Sequence, residues 1–430
     1  MTHLPASLIA LCASASLALA ANEPVVPQTA PASAGQALLS TKVVTCANEG
    51  APVVNRGVIL VRDGVIEAVG RQGQVEIPDG YEVVDVGDDW LIPGLVEMHC
   101  HVGGTFDIND GVYLTNPGMS ARVAVIPNNP TLHRGMAAGV TTVLFIPGSA
   151  TNIGGMGVLF KTGMETWDEA LIRDPGSLKL AQAGNPERFG WGIGRAFMNW
   201  NTRDTFERGI EYAQAWEAFE AGQGPEPLVD PQFEILRALR KDEARISTHT
   251  QMYQVSLMTV TMVAQELGLP VFIDHGTFDS YHMGGIAYEN DVIAIIGPRS
   301  IDPPSRGMMN WAGTRSERVQ GCAAGYQENG HQLVGFNTDS PVIAQEELQL
   351  QAAMAVRYGF DDSDMQAIRG LTIVPAMAAG IDGRVGSLEV GKDADILQIT
   401  GHPADPRAWV KRVWVNGQSV YDTTEETRRW

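Results

Sequence analysis

Leu91-Ile92-Pro93-Gly94-Leu95-Val96-Glu97-Met98-His99-Cys100-His101 is the stretch on which the reading of this chain turns. Pro93-Gly94 interrupts the backbone; an apolar run restarts at Leu95 and ends in two imidazoles. Side chains alternate faces along a strand, so His99 and His101 share one face and Cys100 takes the other. Two imidazoles so placed can chelate one divalent ion without reordering the chain. A lone histidine is more often an ordinary core or surface residue, but a His-x-His ending an apolar strand favours a metal. The C-terminal end of a strand is also where barrel active sites are built.

Outward from this stretch the middle of the chain alternates short apolar runs with helical patterns. Strands are expected at Leu95–His101, Val140–Pro147, Met156–Lys161, Leu178–Ala183, Arg245–Thr250, Val271–His275, Val292–Gly297 and Leu333–Asp339. Helical patterns include Thr131–Ala138 before Gly139 and Ser256–Leu267 before Gly268, each closed by a C-terminal glycine. Roughly one strand per 30 residues suits an α/β fold, a (β/α)8 TIM barrel over residues 91–384. No clear helix follows the third strand, and a doubly wound open sheet would give a similar string.

Asp63-Gly64 and Asn416-Gly417 each sit between strand-like runs, the signature of a two-residue hairpin. These hairpins fall at opposite ends of the chain. Residues 37–90 and 385–430 are therefore expected to join into one small β-sandwich, the alternative being two unconnected hairpins. Residues 185–243 form an insertion carrying Trp191, Trp200 and Trp216, with a helical stretch from Thr205 to Phe219. It is a lid over the barrel mouth or a packing excursion.

Of 430 residues, 30 are Lys or Arg and 50 are Asp or Glu, a formal charge of −20. No basic excess exists to displace counterions from nucleic acid, which disfavours that partner. With 44% hydrophobic and 19% charged residues the chain is globular rather than disordered. No apolar stretch long enough to span a bilayer follows residue 20. Residues 1–20 carry no acidic or basic residue and end in Ala18-Leu19-Ala20, which reads as an export signal followed by a flexible lead-in over 21–36. That places the mature chain in the periplasm or outside the cell; a single membrane anchor is the alternative. Beyond the leader only Cys46, Cys100 and Cys322 remain, with no C-x-x-C, so they read as free thiols.

Further donors fall at strand ends: His249, His275 and Asp339. Four imidazoles and one carboxylate on one rim would make a nitrogen and oxygen ligand set suited to zinc and tolerant of manganese or iron. His133, His282, His331 and His402 fall in a helix or in loops and read as ordinary residues, His282 being the one kept in reserve.

These motifs together resemble the amidohydrolase superfamily, closest to its imidazolonepropionase-like and prolidase-like branch. The resemblance rests on LIPGLVEMHCH, on GVTTVLFIPGSA at the second strand, on His249, His275 and Asp339, and on the tail from Gly386 to Asp395 (GSLEVGKDAD), which is similar to the family's return to its sandwich. It implies that His99, His101, His249, His275 and Asp339 bind one or two divalent ions, most commonly zinc. It also implies a bridging carbamylated lysine on the fourth strand, for which Lys179 is the candidate and Lys161 the rival. The activity implied is hydrolysis of an amide bond in a small or dipeptide-like substrate, with Asp339 moving the proton and His275 near the scissile carbonyl. Arg299 is a candidate for a substrate carboxylate, or an ordinary salt-bridge partner. Ser340-Pro341 stands where relatives often carry His. His249 is followed by Thr250-Gln251-Met252 rather than the His-x-x-Glu of the deaminase branch, which argues against the alternative of a one-metal deaminase. A non-catalytic metal-binding barrel is the remaining alternative. A homo-oligomer is compatible with the sequence.

Overall fold

Two eight-stranded sheets share the chain, and Gly94 passes from one to the other. The computed structural model describes residues 35–104, 108–109, 111, 113–182, 185–188, 192–298, 300–302 and 319–426. The expected export signal, most of the lead-in, Trp191 and Arg299 lie outside the described residues.

The first sheet takes strands from both parts of the sequence: β1 (Gln36–Val44), β2 (Val53–Arg62), β3 (Val65–Arg71), β4 (Glu82–Asp85) and β5 (Trp90–Pro93). The second sheet holds β6 (Leu95–Cys100), β7 (Val140–Phe145), β8 (Ile153–Lys161), β9 (Leu171–Ala181), β10 (Arg245–Thr250), β11 (Val271–His275), β12 (Ala294–Ile296) and β13 (Val334–Phe336). The chain then returns to the first sheet with β14 (Ile396–Ile399), β15 (Val410–Val415) and β16 (Gln418–Asp422).

In the first sheet the order is β16-β15-β14-β5-β1-β2-β3, with β4 also paired to β1. Both hairpin turns form where the sequence places them. Asp63 and Gly64 have φ of 51° and 83°, and Asn416 and Gly417 have 49° and 70°, the positive values such turns require. The two parts of the chain meet where β5 pairs antiparallel with β14, Leu397 opposite Ile92. Leu38, Ile59, Ile66 and Leu91 pack with Leu388, Ile396 and Trp414 in one cluster. The hairpins are thus connected rather than separate, in one hydrogen-bonded sheet, which by itself is not the separate β-sandwich domain expected.

Gly94 has no room for a side chain: a Cβ there would lie 2.0 Å from Thr141 Oγ1. Its N–H donates to Asp395 O at 2.9 Å, so the entry to β6 is pinned by the other part of the chain.

The second sheet runs β13-β12-β11-β10-β9-β8-β7-β6, and its strands are almost wholly buried. Ser340 O accepts from His101 N at 2.9 Å, and Cys100 bridges Ser340 in parallel, so the first and last strands meet and the sheet curls into a barrel. One expectation is corrected here. β8 is antiparallel to both β7 and β9, so the barrel is not eight parallel βα units. The linkers 146–152 and 162–170 are too short for a parallel crossover, which needs a dozen residues or more. The other strand pairs, β6 with β7 and β9 through β13, are parallel.

Helices cover the outside. Pro130–Ala137 is capped by Asn129, whose Oδ1 accepts from Thr131 N at 2.8 Å, and ends before Gly139 at φ 101°. The pattern at 256–267 forms an α-helix, Tyr253–Met258, that widens into a π-helix, Thr259–Glu266. The insertion is a long helix, Arg195–Glu220, against a short one, Glu234–Arg240. Asn201 Nδ2 near its start donates to Asn152 Oδ1 at 2.7 Å and Thr115 Oγ1 at 2.8 Å, which fixes it beside the start of β8. Cys46, Cys100 and Cys322 are buried and free. Among the described residues no helix is long and apolar enough to cross a membrane.

Candidate metal centre

His99, His101, His249 and His275 gather with Asp339 and Lys179 at the C-terminal ends of the parallel strands. His99 Nε2 lies 3.0 Å from His101 Nε2. Asp339 Oδ1 lies 3.2 Å from His99 Nε2 and 3.3 Å from His101 Nε2. One ligand atom from each of these three residues falls within 4.8 Å of the others. Beside them, His275 Nε2 faces His249 Nδ1 at 2.8 Å, and the His99 and His275 ring centroids are 4.4 Å apart. Lys179 Nζ lies between the groups, 3.2 Å from His99 Nε2.

The far side of each ring shows which nitrogen is offered. His99 Nδ1 lies 2.9 Å from Asp274 Oδ2, His101 Nδ1 is 2.9 Å from Ile146 O, and His275 Nδ1 is 2.9 Å from Gly297 O. An acceptor at Nδ1 holds the proton there and leaves Nε2 as a lone pair. Three imidazoles are therefore held with Nε2 lone pairs turned inward. His249 is turned the other way, with Nδ1 inward, 2.9 Å from Ser149 Oγ.

The charges follow the same logic. Burial, reinforced by neighbouring positive groups, holds His99 and His249 well below the usual imidazole range, and His275 is lowered too. Burial lowers Lys179 to about 8 against the pull of Asp274 and Asp339, so part of it is neutral amine near neutral pH, the form that carbamylation needs. Burial raises Asp274 to about 6. Burial also opposes ionisation of Asp339, but His99, His275 and His101 together hold it well below the carboxylate range. Neutral imidazoles around an ionised carboxylate form a donor set that fits a divalent cation.

The backbone bends sharply at two of these residues. His275 has φ 74° and Asp339 φ 49°, left-handed values that non-glycine residues adopt rarely and mostly under constraint. His275 ends its strand in this way, and Asp339 does so three residues past the end of Val334–Phe336.

All six predicted ligand positions are therefore brought together. Lys161 is not among them. Because β8 runs backwards, its last residue lies at the opposite end of the barrel, where Nζ pairs with Asp393 Oδ2 at 2.8 Å and Asp395 Oδ1 at 2.9 Å. His133, His331 and His402 have ordinary partners: Glu426, the Val292 carbonyl and Asp362. His282 is exposed against Tyr253 and Tyr281. The position a deaminase would fill with Glu holds Met252, buried, its sulfur accepting from Arg195.

Four polar neighbours were missed. Asp274 and Asn337 back His99, with Asn337 Nδ2 3.4 Å from Asp274 Oδ1. Ser149 sits in the quoted motif of the second strand. Glu97 precedes His99 by two and so shares its face; that spacing was the available signal.

The model of the Amidohydrolase family matches residues 316–420. A curated amidohydrolase of Hapsidospora irregularis is 25% identical, over 85% of this chain and 40% of that protein. The chain thus spans two-fifths of that relative's length. A crystal structure of an amidohydrolase from Thermotoga maritima MSB8 is 27% identical with a TM-score of 0.75, covering 90% of this chain and 99% of that one. A prolidase complexed with N-methylphosphonate-L-proline is 15% identical with a TM-score of 0.56, covering 90% of this chain and all of that one, a likeness of fold alone.

Proposed function

We propose that this chain, similar over residues 316–420 to the Amidohydrolase family and in fold to a Thermotoga maritima amidohydrolase, is a metal-dependent hydrolase of an amide bond in a small, dipeptide-like or N-acyl amino acid substrate. The observation that carries the reading is the convergence of three inward Nε2 lone pairs, His249 Nδ1 and Asp339 at one rim. His99, His101 and Asp339 would hold one cation, and His249 and His275 a second, with Lys179, as its carbamate, between them. A divalent ion bound there supplies Lewis acidity that brings the pKa of water from 15.7 to about 7.

The chain's own groups would do the rest. Asp339, ionised and aimed into the cluster, takes a proton from the attacking water and delivers it to the leaving nitrogen. Asp274, Ile146 O and Gly297 O keep the rings in the tautomer that faces inward. Burial of His99, His249 and His275 strengthens the polar contacts each of them makes. The substrate class is motivated by two solved structures of similar fold, a prolidase and a Xaa-Pro dipeptidase.

The acid-free, base-free leader ending in Ala18-Leu19-Ala20 supports export to the periplasm or beyond. The test of the activity is to load the purified chain with zinc and screen dipeptides and N-acyl amino acids alongside cyclic amidines and nucleobases. Cleavage in the first group is expected. Ammonia release from the second group with no amide cleavage overturns the proposal.

A further inference from the structure

The seam of the barrel is closed by a side chain as much as by backbone. Its first strand, β6, and its last, β13, are the two ends of the sheet path. The backbone joins them only near the rim, at Cys100 and Ser340. One level deeper lies Glu97, fully buried, on the same face as His99 and His101. Its Oε1 accepts from His99 N at 3.0 Å. Its Oε2 accepts from Thr338 N at 3.0 Å and from Thr338 Oγ1 at 2.6 Å.

Those contacts tie one ligand's own amide to the residue just before another ligand. His99 and His101 stand on one side of the seam and Asp339 on the other, yet they form the group whose ligand atoms gather within 4.8 Å. Nothing else so close to both sides makes hydrogen bonds across the seam at this depth among the described residues. Resting on the metal-dependent reading above, we propose that Glu97 is a positioning residue: it clasps the first strand to the last and so sets the spacing at which His99, His101 and Asp339 grip a cation.

The chemistry of the clasp requires an acceptor on both side-chain oxygens, because Oε1 faces the His99 N–H and Oε2 the Thr338 N–H, and glutamate offers one on each. In Glu97→Gln one oxygen becomes an NH2 of nearly the same size. Whichever way the amide turns, one backbone N–H then faces a donor and loses its partner.

The test measures zinc affinity by chelator competition on the full chain, with thermal unfolding of the metal-free protein measured in parallel. Glu97→Gln is expected to fold and to lower zinc affinity about 10- to 100-fold, the range seen when the groups supporting ligands are altered. Thr338→Val, which removes one donor and keeps both backbone contacts, is expected to lose less. The double variant should lose no more than Glu97→Gln alone, because the two act through one contact. Lys161→Met, at the other end of the barrel, should lower the unfolding temperature and leave zinc affinity unchanged. A folded Glu97→Gln with parental affinity overturns the clasp, as does additive loss in the double variant. If Glu97→Gln does not fold, Thr338→Val decides: parental affinity there overturns the proposal and a fall supports it. A parental chain that takes up no divalent ion overturns the metal-dependent reading itself and the clasp with it.

Discussion

Lys161 and Lys179 stand on adjacent strands of one barrel, both closed off from solvent, and their surroundings have little in common. β8 runs against the barrel and delivers Lys161 to the N-terminal end, between the carboxylates of Asp393 and Asp395. β9 runs with the barrel and holds Lys179 against His99 among the imidazoles. One lysine staples the barrel to the sheet that contains β14 and β15. The other, pushed down to about 8 by burial, has neutral amine to offer. Residue type and burial are the same; strand direction decides which end of the barrel, and hence which chemistry, each lysine serves.

The sharpest way to break this contrast acts on the rim as a whole. Exhaustive chelation should abolish turnover, and added zinc should restore it. Activity that survives in protein shown to be metal-free would remove the rim's assigned chemistry. Next in size, Asp339→Asn should cut kcat by about 10³-fold, within the span general acid–base groups supply. Its circular dichroism should match the parent, and normal turnover would release Asp339 from its role.

The two lysines can then be exchanged for methionine one at a time. Lys161→Met leaves the buried Asp395 without a cation, while Asp393 keeps Arg384, and should cost about 3–5 kcal/mol in denaturant unfolding, with kcat per folded molecule unchanged. Lys179→Met should leave unfolding close to the parent while lowering activity at least about tenfold, the carbamate position being lost. Equal stability losses from both would show that the ends of the barrel do not differ as described.

The smallest effect concerns an imidazole away from the rim. His331 is buried with Nε2 on the Val292 carbonyl, and burial lowers it to about 4. Unfolded, it would titrate near 6.5. Between those values the unfolded chain binds the extra proton, so stability falls as pH drops from about 6.5 towards 4, by up to about 3 kcal/mol from this residue. His331→Gln should flatten that part of the stability profile measured by urea titration; an unaltered slope would assign it to other groups.

Much of this was readable in advance, for specific reasons. Arg245–Thr250, Val271–His275, Val410–Val415 and Gln418–Asp422 form as expected, because apolar runs between turn residues leave little choice of boundary. The gathering of His99, His101, His249, His275 and Asp339 was readable because each falls at or just past the end of such a run. The reversal of β8 was not, since alternation of side chains carries no direction. Only linker length does, and it was not weighed. Asp274 and Asn337 were hidden for another reason: they lie one residue before His275 and two before Asp339 in the chain, and only the curled sheet brings Asp274 to His99 and Asn337 to Asp274. Glu97 was half visible, its face set by spacing and its partner Thr338 supplied across the seam by a segment 241 residues later in the chain.

The join at Gly94 has a consequence for the order of events on the ribosome. The strand bearing the first two imidazoles leaves directly from β5, and one flank of β5 is covered by residues 396–399. Those residues are made some 300 positions later, a gap that places the pairing among the most distant contacts a nascent chain must wait for. Until they emerge, the root of that strand has an open edge, so the rim where His99, His101 and Asp339 gather gains this support only after residues 396–399 have been made.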